Sequence, residues 1–188
     1  MSNRKIILAS QSPRRQELLK LAGIDFEIQI PDFEETYPDN MDAHKIPEYL
    51  AEQKASIILQ QHGEDVIVIA ADTMVFLEDE ILGKPKNTEE AKSILGRLSG
   101  KMHEVITGVA IMSKDKKKLF STNTKVYFKP LGQKNIEYYV QNYKPLDKAG
   151  AYGIQEWIGL VGIEKIEGCY NNVVGLPVSK VVEALKEF

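Results

Sequence analysis

Apolar positions along this chain follow two rhythms: short continuous or alternating runs that predict strands, and three-to-four spacings that predict helices. Ile6, Ile7, Leu8 and Ala9 make the first run, a strand over 5–10. Leu18, Leu19, Leu21 and Ala22 then lie on a helix that Ser12 can cap, Pro13 can start and Gly23 can close. Residues 26–30 alternate and predict a short strand, followed by an acidic loop over 31–42. A longer helix is expected from near Pro47 to Gln61, stopping at Gly63. Residues 66–71 are apolar at every position, as a central strand covered on both faces must be, and the run ends at Asp72.

Further on, Phe76-Leu77 and Ile81-Leu82 bracket Glu78, Asp79 and Glu80, which predicts a tight hairpin leading to Gly83-Lys84-Pro85. Asn87-Thr88-Glu89-Glu90 has capping-box spacing, and Ala91, Ile94, Leu95 and Leu98 follow on one helical face before Ser99-Gly100. Two long strands are expected over 105–112 and 119–128, joined by Lys114-Asp115-Lys116-Lys117-Lys118 as a solvated turn. Ile136, Tyr139, Val140 and Tyr143 repeat the helical spacing until Pro145 stops it. Residues 149–155 read as a glycine-rich loop and 157–163 as a strand, and Pro177 opens a last helix with Val178, Val181, Val182 and Leu185 on one face. Strands linked by helices together with hairpins predict an α/β fold with a mixed sheet.

Composition narrows the class. The 188 residues, 43% of them apolar, can bury a substantial core in one domain over 1–188 with two lobes. The longest apolar run, 66–71, is far too short to cross a bilayer, and the polar start at residues 1–5 lacks the apolar stretch of a signal peptide. A cytoplasmic location is therefore expected. A net charge of −3 gives no broad attraction to nucleic acid or to an anionic membrane, so any anion must be held locally. The single cysteine, Cys169, rules out an internal disulfide and reads as a small apolar residue.

A local anion site is suggested at the first helix. Arg14 and Arg15 stand at its start, where the partial positive charge of the helix makes each cation cost about 0.3–1 kcal/mol. A bound phosphate chain reverses that sign, drawing on backbone N–H groups, the hydroxyls of Ser10 and Ser12 and two forked guanidinium groups; a solvated arginine pair is the plain alternative. Asp72 closes an apolar strand, at the rim where ligands gather in open α/β sheets. A carboxylate there can hold a divalent cation, take a proton from water or merely turn the chain, and Thr73 adds a hydroxyl.

Lys54 shares a helical face with Leu50, Ile57 and Ile58, so it either snorkels to water or aims into a cleft. Lys84, held between Gly83 and Pro85, can project its amine into the same cleft. One of Asp32, Glu34 and Glu35 could share a metal with Asp72. No glycine-loop phosphate motif, zinc spacing of His44, His62 and His103, or serine elbow occurs, which favours hard oxygen ligands and magnesium over zinc.

Seven ordered segments resemble the Maf-like nucleoside triphosphate pyrophosphatases over nearly the whole chain. They are residues 8–19 (Leu-Ala-Ser-Gln-Ser-Pro-Arg-Arg-Gln-Glu-Leu-Leu), 51–55, 70–75 (Ala-Ala-Asp-Thr-Met-Val), 82–85, 99–109, 147–155 (Asp-Lys-Ala-Gly-Ala-Tyr-Gly-Ile-Gln) and 171–177. The resemblance implies a mixed, twisted sheet flanked by helices, with two lobes around a central cleft. It also implies hydrolysis of a nucleoside triphosphate between its α and β phosphates. Asp72 matches the family's proton acceptor, and Arg14, Thr73 and Gln155 match positions tied to base selection. Ser10, Arg15, Glu35, Lys54 and Lys84 match the phosphate- and metal-binding set, with Asp72 and Glu35 on a divalent cation, magnesium or manganese.

The Ala-Asp-Thr and Ala-Tyr-Gly-Ile-Gln forms resemble the branch acting on dTTP and UTP, as opposed to methylated guanosine nucleotides. Glu156-Trp157 departs from the pattern, since glycine often follows the glutamine. Removal of non-standard nucleotides and a homodimer are further implications of the likeness. A nucleotide-responsive regulator of septum formation or growth, which binds without cleaving, and an enzyme for modified nucleotides are the competing readings.

Overall fold

The computed structural model describes residues 4–62 and 66–188, so Gly63, the expected stop of the second helix, lies outside the described residues. Strand β1 (Lys5–Leu8) leads into helix α1 (Pro13–Leu21), then β2 (Glu27–Ile28), α2 (Ile46–Gln60), β3 (Val66–Leu77) and β4 (Glu80–Leu82). Helix α3 (Thr88–Leu98), the long strands β5 (Met102–Met112) and β6 (Lys117–Phe128) and helix α4 (Gln133–Tyr143) follow. The chain ends with α5 (Trp157–Gly162), β7 (Ile163–Glu167), α6 (Tyr170–Val174) and α7 (Val178–Leu185). The sheet runs β2-β1-β3-β5-β6-β7, with β4 paired to β3. It is mixed as expected: β1 is parallel to β2 and β3, whereas β4 is antiparallel to β3 and β7 to β6. Among the described residues, no helix is long and apolar enough to cross a membrane.

The chain divides into two compact units. The first takes Met1–Thr73, Thr107–Thr122 and Gly175–Phe188; the second takes Met74–Ile106 and Asn123–Val174. In the first unit residues 66–71 of β3 are apolar throughout because both faces of the strand are covered. Ile67, Ile69 and Ala71 pack with Leu8, Leu19, Val178 and Val181, while Val66, Val68 and Ala70 pack with Ala51, Ala55 and Ile58 of α2. Successive strand residues alternate faces, so one continuous apolar run serves two cores.

The second unit has one core, in which Leu95 and Leu98 of α3, Tyr139 and Val140 of α4, Val126 and Phe128 of β6 and Ile158 of α5 are buried together. Its helix α3 begins as the spacing predicts. Asn87 Oδ1 accepts the Glu90 N–H at 2.9 Å, while Glu90 Oε2 accepts the N–H of Lys86, one residue ahead of the cap.

Several expectations need correction. Strand β3 does not end at Asp72 but continues to Leu77, because Val75, Phe76 and Leu77 are themselves buried and Val75–Leu77 pair with β4. Strand β2 is only two residues long, since β1 stops at Leu8 and offers no partner beyond Ile28 except its last carbonyl, bonded to the Gln29 N–H. Residues 157–162 form helix α5, not a strand. Ile158 and Gly162, four apart, face inward, and Gly159 rides so tightly on the preceding turn that a Cβ would lie 1.8 Å from the Ile154 carbonyl oxygen. A short apolar run carries no period to separate the two conformations.

Buried within the second unit, His103 packs against the rings of Phe128 and Tyr152, and its Nε2 shares a 2.7 Å hydrogen bond with the Tyr152 hydroxyl. Burial pushes its pKa down from 6.5 to about 3, so the folded protein holds it neutral. The unfolded chain takes up that proton once the pH falls below 6.5, and the folded chain does so only near 3, so stability drops with pH between those values. At about 1.4 kcal/mol per pH unit, His103 removes about 2 kcal/mol between pH 6.5 and 5. Denaturant melts of His103→Gln should show a flatter acid limb by that amount; parallel limbs would refute the buried-histidine account.

Candidate active site

Strand β1 ends at Leu8, opposite Ile69, and Asp72 and Thr73 project from β3 three and four residues past that point. They occupy the rim beyond the carboxyl end of a parallel strand, the position expected of them although β3 itself runs on. Asp72 continues the row of Val66, Val68 and Ala70 that packs beneath α2, so it faces the helix face carrying Ala55 and Ile58. Lys54 lies on that face. Its Nζ donates to Asp72 Oδ1 at 2.6 Å and pairs with Glu35 Oε1 at 2.7 Å. With only 12% of its side chain exposed, Lys54 does not snorkel to water; its ammonium joins two carboxylates, one 13% exposed and one 52% exposed.

Thr73 continues the opposite row, that of Ile67, Ile69 and Ala71, which faces α1 and α7. There Arg15 folds back from the start of α1. Its Nε donates to the Gly175 carbonyl at 2.9 Å, Nη1 to Ser10 Oγ at 3.2 Å and Nη2 to Thr73 Oγ1 at 3.1 Å. Thr73 Oγ1 in turn lies 2.9 Å from Thr107 Oγ1. Burial lowers the Arg15 pKa, the nearby Asp72 and Glu35 charges raise it, and Arg14 beside it lowers it again. Every direct partner of Arg15 among the described residues is an uncharged oxygen, and an N–H remains on each terminal nitrogen for a further acceptor. The solvated-pair reading therefore fails for Arg15. Arg14 is half-buried on the same first turn.

Ser12 occupies the N-cap position without a side-chain cap bond, and its own N–H donates to Ser10 Oγ at 3.2 Å. Asp72 and Glu35, both within reach of one ammonium, are hard oxygen donors of the kind that hold magnesium or manganese together with substrate phosphates. Among the described residues no group of three or more His, Cys, Asp and Glu gathers. Lys84 and Gln155 belong to the second unit, both exposed, the former beside buried Pro85 and the latter at the end of the 148–156 loop.

A family profile described as Maf-like protein matches residues 5–188. The chain belongs to the Maf-like family. It is 51% identical over 185 residues to a dTTP/UTP pyrophosphatase of Parabacteroides distasonis, covering 98% of this chain and 96% of that one. It is 50% identical to a dTTP/UTP pyrophosphatase of Cytophaga hutchinsonii, covering 100% of this chain and 85% of the relative. Among solved structures, a HAM1 protein from Coxiella burnetii shares the fold with a TM-score of 0.55 at 18% identity, over 98% of this chain and 100% of that one.

Two parts of this Maf-like site carried no chemical signal in the residues. Thr107, in the middle of β5, is invisible without knowing that β5 lies next to β3 in the sheet. Gly175 supplies only a backbone carbonyl. Its φ of 128° is in the region that favours glycine, and a Cβ there would stand 3.7 Å from Thr73 Oγ1 and 3.8 Å from Arg15 Nε. The sequence 171–177 belonged to the Maf-like resemblance, yet nothing in it assigned a role to the glycine.

Proposed function

We propose that this chain hydrolyses dTTP and UTP at the α–β phosphoanhydride, releasing the nucleoside monophosphate and pyrophosphate. The observation that carries the reading is Arg15: a half-buried guanidinium whose direct partners among the described residues are all neutral oxygens, close to Asp72 and Glu35 yet bonded to neither, is a cation with N–H groups left for an anion. Relatives named for this activity at about half identity support the choice of substrates.

In this mechanism Arg15 and Lys54 hold the polyphosphate and take the charge that develops on the departing pyrophosphate, with Lys84 assigned to the same task. Asp72 accepts the proton of the attacking water through a carboxylate oxygen. Asp72 and Glu35 would hold magnesium or manganese, which when bound neutralises phosphate oxygens. Ser10 and Thr73 fix the Arg15 fork, while Arg14, Thr73 and Gln155 are assigned to base selection. The reading also carries a cytoplasmic location and a homodimer, which cell fractionation and sedimentation check.

The test is product analysis of dTTP, UTP, CTP, GTP and modified triphosphates with magnesium or manganese. Pyrophosphate and monophosphate from dTTP and UTP are expected. Intact triphosphate would identify a binding protein, and a preference for modified nucleotides would move the substrate class. Replacing Lys54 with Met should weaken triphosphate binding by about tenfold or more, and monophosphate binding far less, because an ammonium at a desolvated phosphate contact is lost. Calorimetric titration that found equal losses for the two ligands would remove Lys54 from the phosphate site.

A further inference from the structure

The loop that carries Gln155 is held in a conformation it would not adopt alone. Gly150 has φ 70° and Ala151 φ 60°, the latter a left-handed setting that costs a non-glycine residue of order 1 kcal/mol or more. Gly150 is closely packed as well, since a Cβ there would lie 3.1 Å from both methyl carbons of Val75, which would have to give way by a few tenths of an ångström. One end of the loop is tied where the Gly150 N–H donates to the Gly83 carbonyl at 3.2 Å.

The rest of the loop is tied by a knot of four ionisable side chains, Tyr139, Asp147, Lys148 and Glu156. The Tyr139 hydroxyl, at the fully buried centre of α4, accepts the Gly153 N–H at 3.0 Å and donates to Glu156 Oε2. The other Glu156 oxygen pairs with Lys148 Nζ at 3.2 Å, and that buried ammonium also donates to Asp147 Oδ1 at 2.8 Å. Lys148 opens the loop and Glu156 closes it, so the ion pair joins its two ends while Tyr139 pins its middle. The Glu156 N–H adds a 3.0 Å bond to the Gly153 carbonyl, which turns the chain around Gln155. Gln155 packs over the pinned residue: a Cβ on Gly153 would come within 3.1 Å of Gln155 Nε2 and 2.9 Å of Glu156 Cδ. Burial, and then the Glu156 hydrogen bond, push the Tyr139 pKa upward, so the hydroxyl keeps its proton as a donor.

We propose that Tyr139, Lys148 and Glu156 are positioning residues that fix the Gln155 amide and thereby set discrimination between nucleobases. The proposal rests on the functional reading above. It leaves the residues assigned to phosphate untouched, because Tyr139, Lys148 and Glu156 bond to one another, to Asp147 and to Gly153, and the tie to Gly83 is made by the Gly150 N–H. The ring of Tyr139 fills the core, so Tyr139→Phe keeps packing and removes only the hydroxyl that joins Gly153 to Glu156.

The test compares kcat/KM for UTP and GTP in the wild type and in Tyr139→Phe, with circular dichroism and thermal melting to show that each is folded. The UTP-over-GTP ratio should fall about tenfold or more, the scale of one buried hydrogen bond to a charged group. The fall should come from a higher KM for UTP with kcat within about twofold. An unchanged ratio, or an equal loss on both nucleotides, would overturn the positioning role and leave the activity standing. A wild type that releases no pyrophosphate would end the functional reading and the positioning role together. Should Tyr139→Phe fail to fold, Glu156→Gln takes its place with the same expected ratio and the same deciding outcomes.

Discussion

Replacing Asp72 with Asn should cut pyrophosphate release from UTP by about a hundredfold to ten-thousandfold, the range contributed by a positioned proton acceptor. The substitution is nearly isosteric. The amide oxygen can still accept the Lys54 hydrogen bond, and Glu35 still pairs with the ammonium, so the fold and the hydrogen bonds that hold Arg15 should survive. Triphosphate binding measured with a non-hydrolysable analogue should stay within a few-fold of wild type while the chemical step collapses. That split separates loss of chemistry from loss of binding. Full turnover by Asp72→Asn would remove Asp72 from catalysis; equal loss of binding and turnover would instead make it a binding group.

Much of this arrangement was legible before any coordinates. The alternation that makes 66–71 apolar on both faces also dictates that Asp72 and Thr73, the next two residues, point to opposite sides, one toward α2 and one toward α1 and α7. Lys54 could be placed on a buried helical face from its spacing to Leu50 and Ile58 alone, and the cations at the start of α1 stand out as unfavourably placed for a helix without a bound anion. The sequence could not show what pairs with what. Glu35 sits in a loop with no period, and only the fold brings its carboxylate to Lys54, 19 positions away. The same holds for Arg15 and Gly175, which are 160 residues apart.

The errors have a common physical origin. The segment of helix α5 reads as a strand in the sequence because six residues with two glycines carry too little periodicity, and tertiary contacts decide the conformation of such a segment. The apolar pattern places the end of β3 at Asp72 because a charge inside an apolar run looks like its end. The strand continues because the residues after the charge join a second core, so the acid is a polar interruption in a long strand. A charge at mid-strand, held there by an ion pair with Lys54, is a local exception to the apolar pattern, and it falls on the residue to which the proposed function gives the proton transfer.

Gly108→Ala should be the most damaging single methyl in the first unit. Gly108 lies in β5 next to Thr107, on the face covered by α2, and a Cβ built there would fall 2.1 Å from the Glu48 nitrogen, 2.3 Å from the Pro47 carbonyl carbon and 2.4 Å from Glu48 Cα. All three atoms are backbone of the first turn of α2, so no side chain can rotate away; the helix must lift or the strand must bend. Overpacking of this kind costs about 3 kcal/mol or more, at the severe end of single substitutions.

Because α2 also carries Lys54, any variant that remains folded should hold the ammonium off Asp72 and lose triphosphate affinity along with stability. The matched control is Gly96→Ala in α3, where a Cβ meets nothing within 4 Å and the helix should gain about 1 kcal/mol. Urea melts of the two variants should therefore move in opposite directions. If Gly108→Ala melted like the wild type, α2 would not be seated on β5 as described, and the geometry that delivers Lys54 to Asp72 would have to be redrawn.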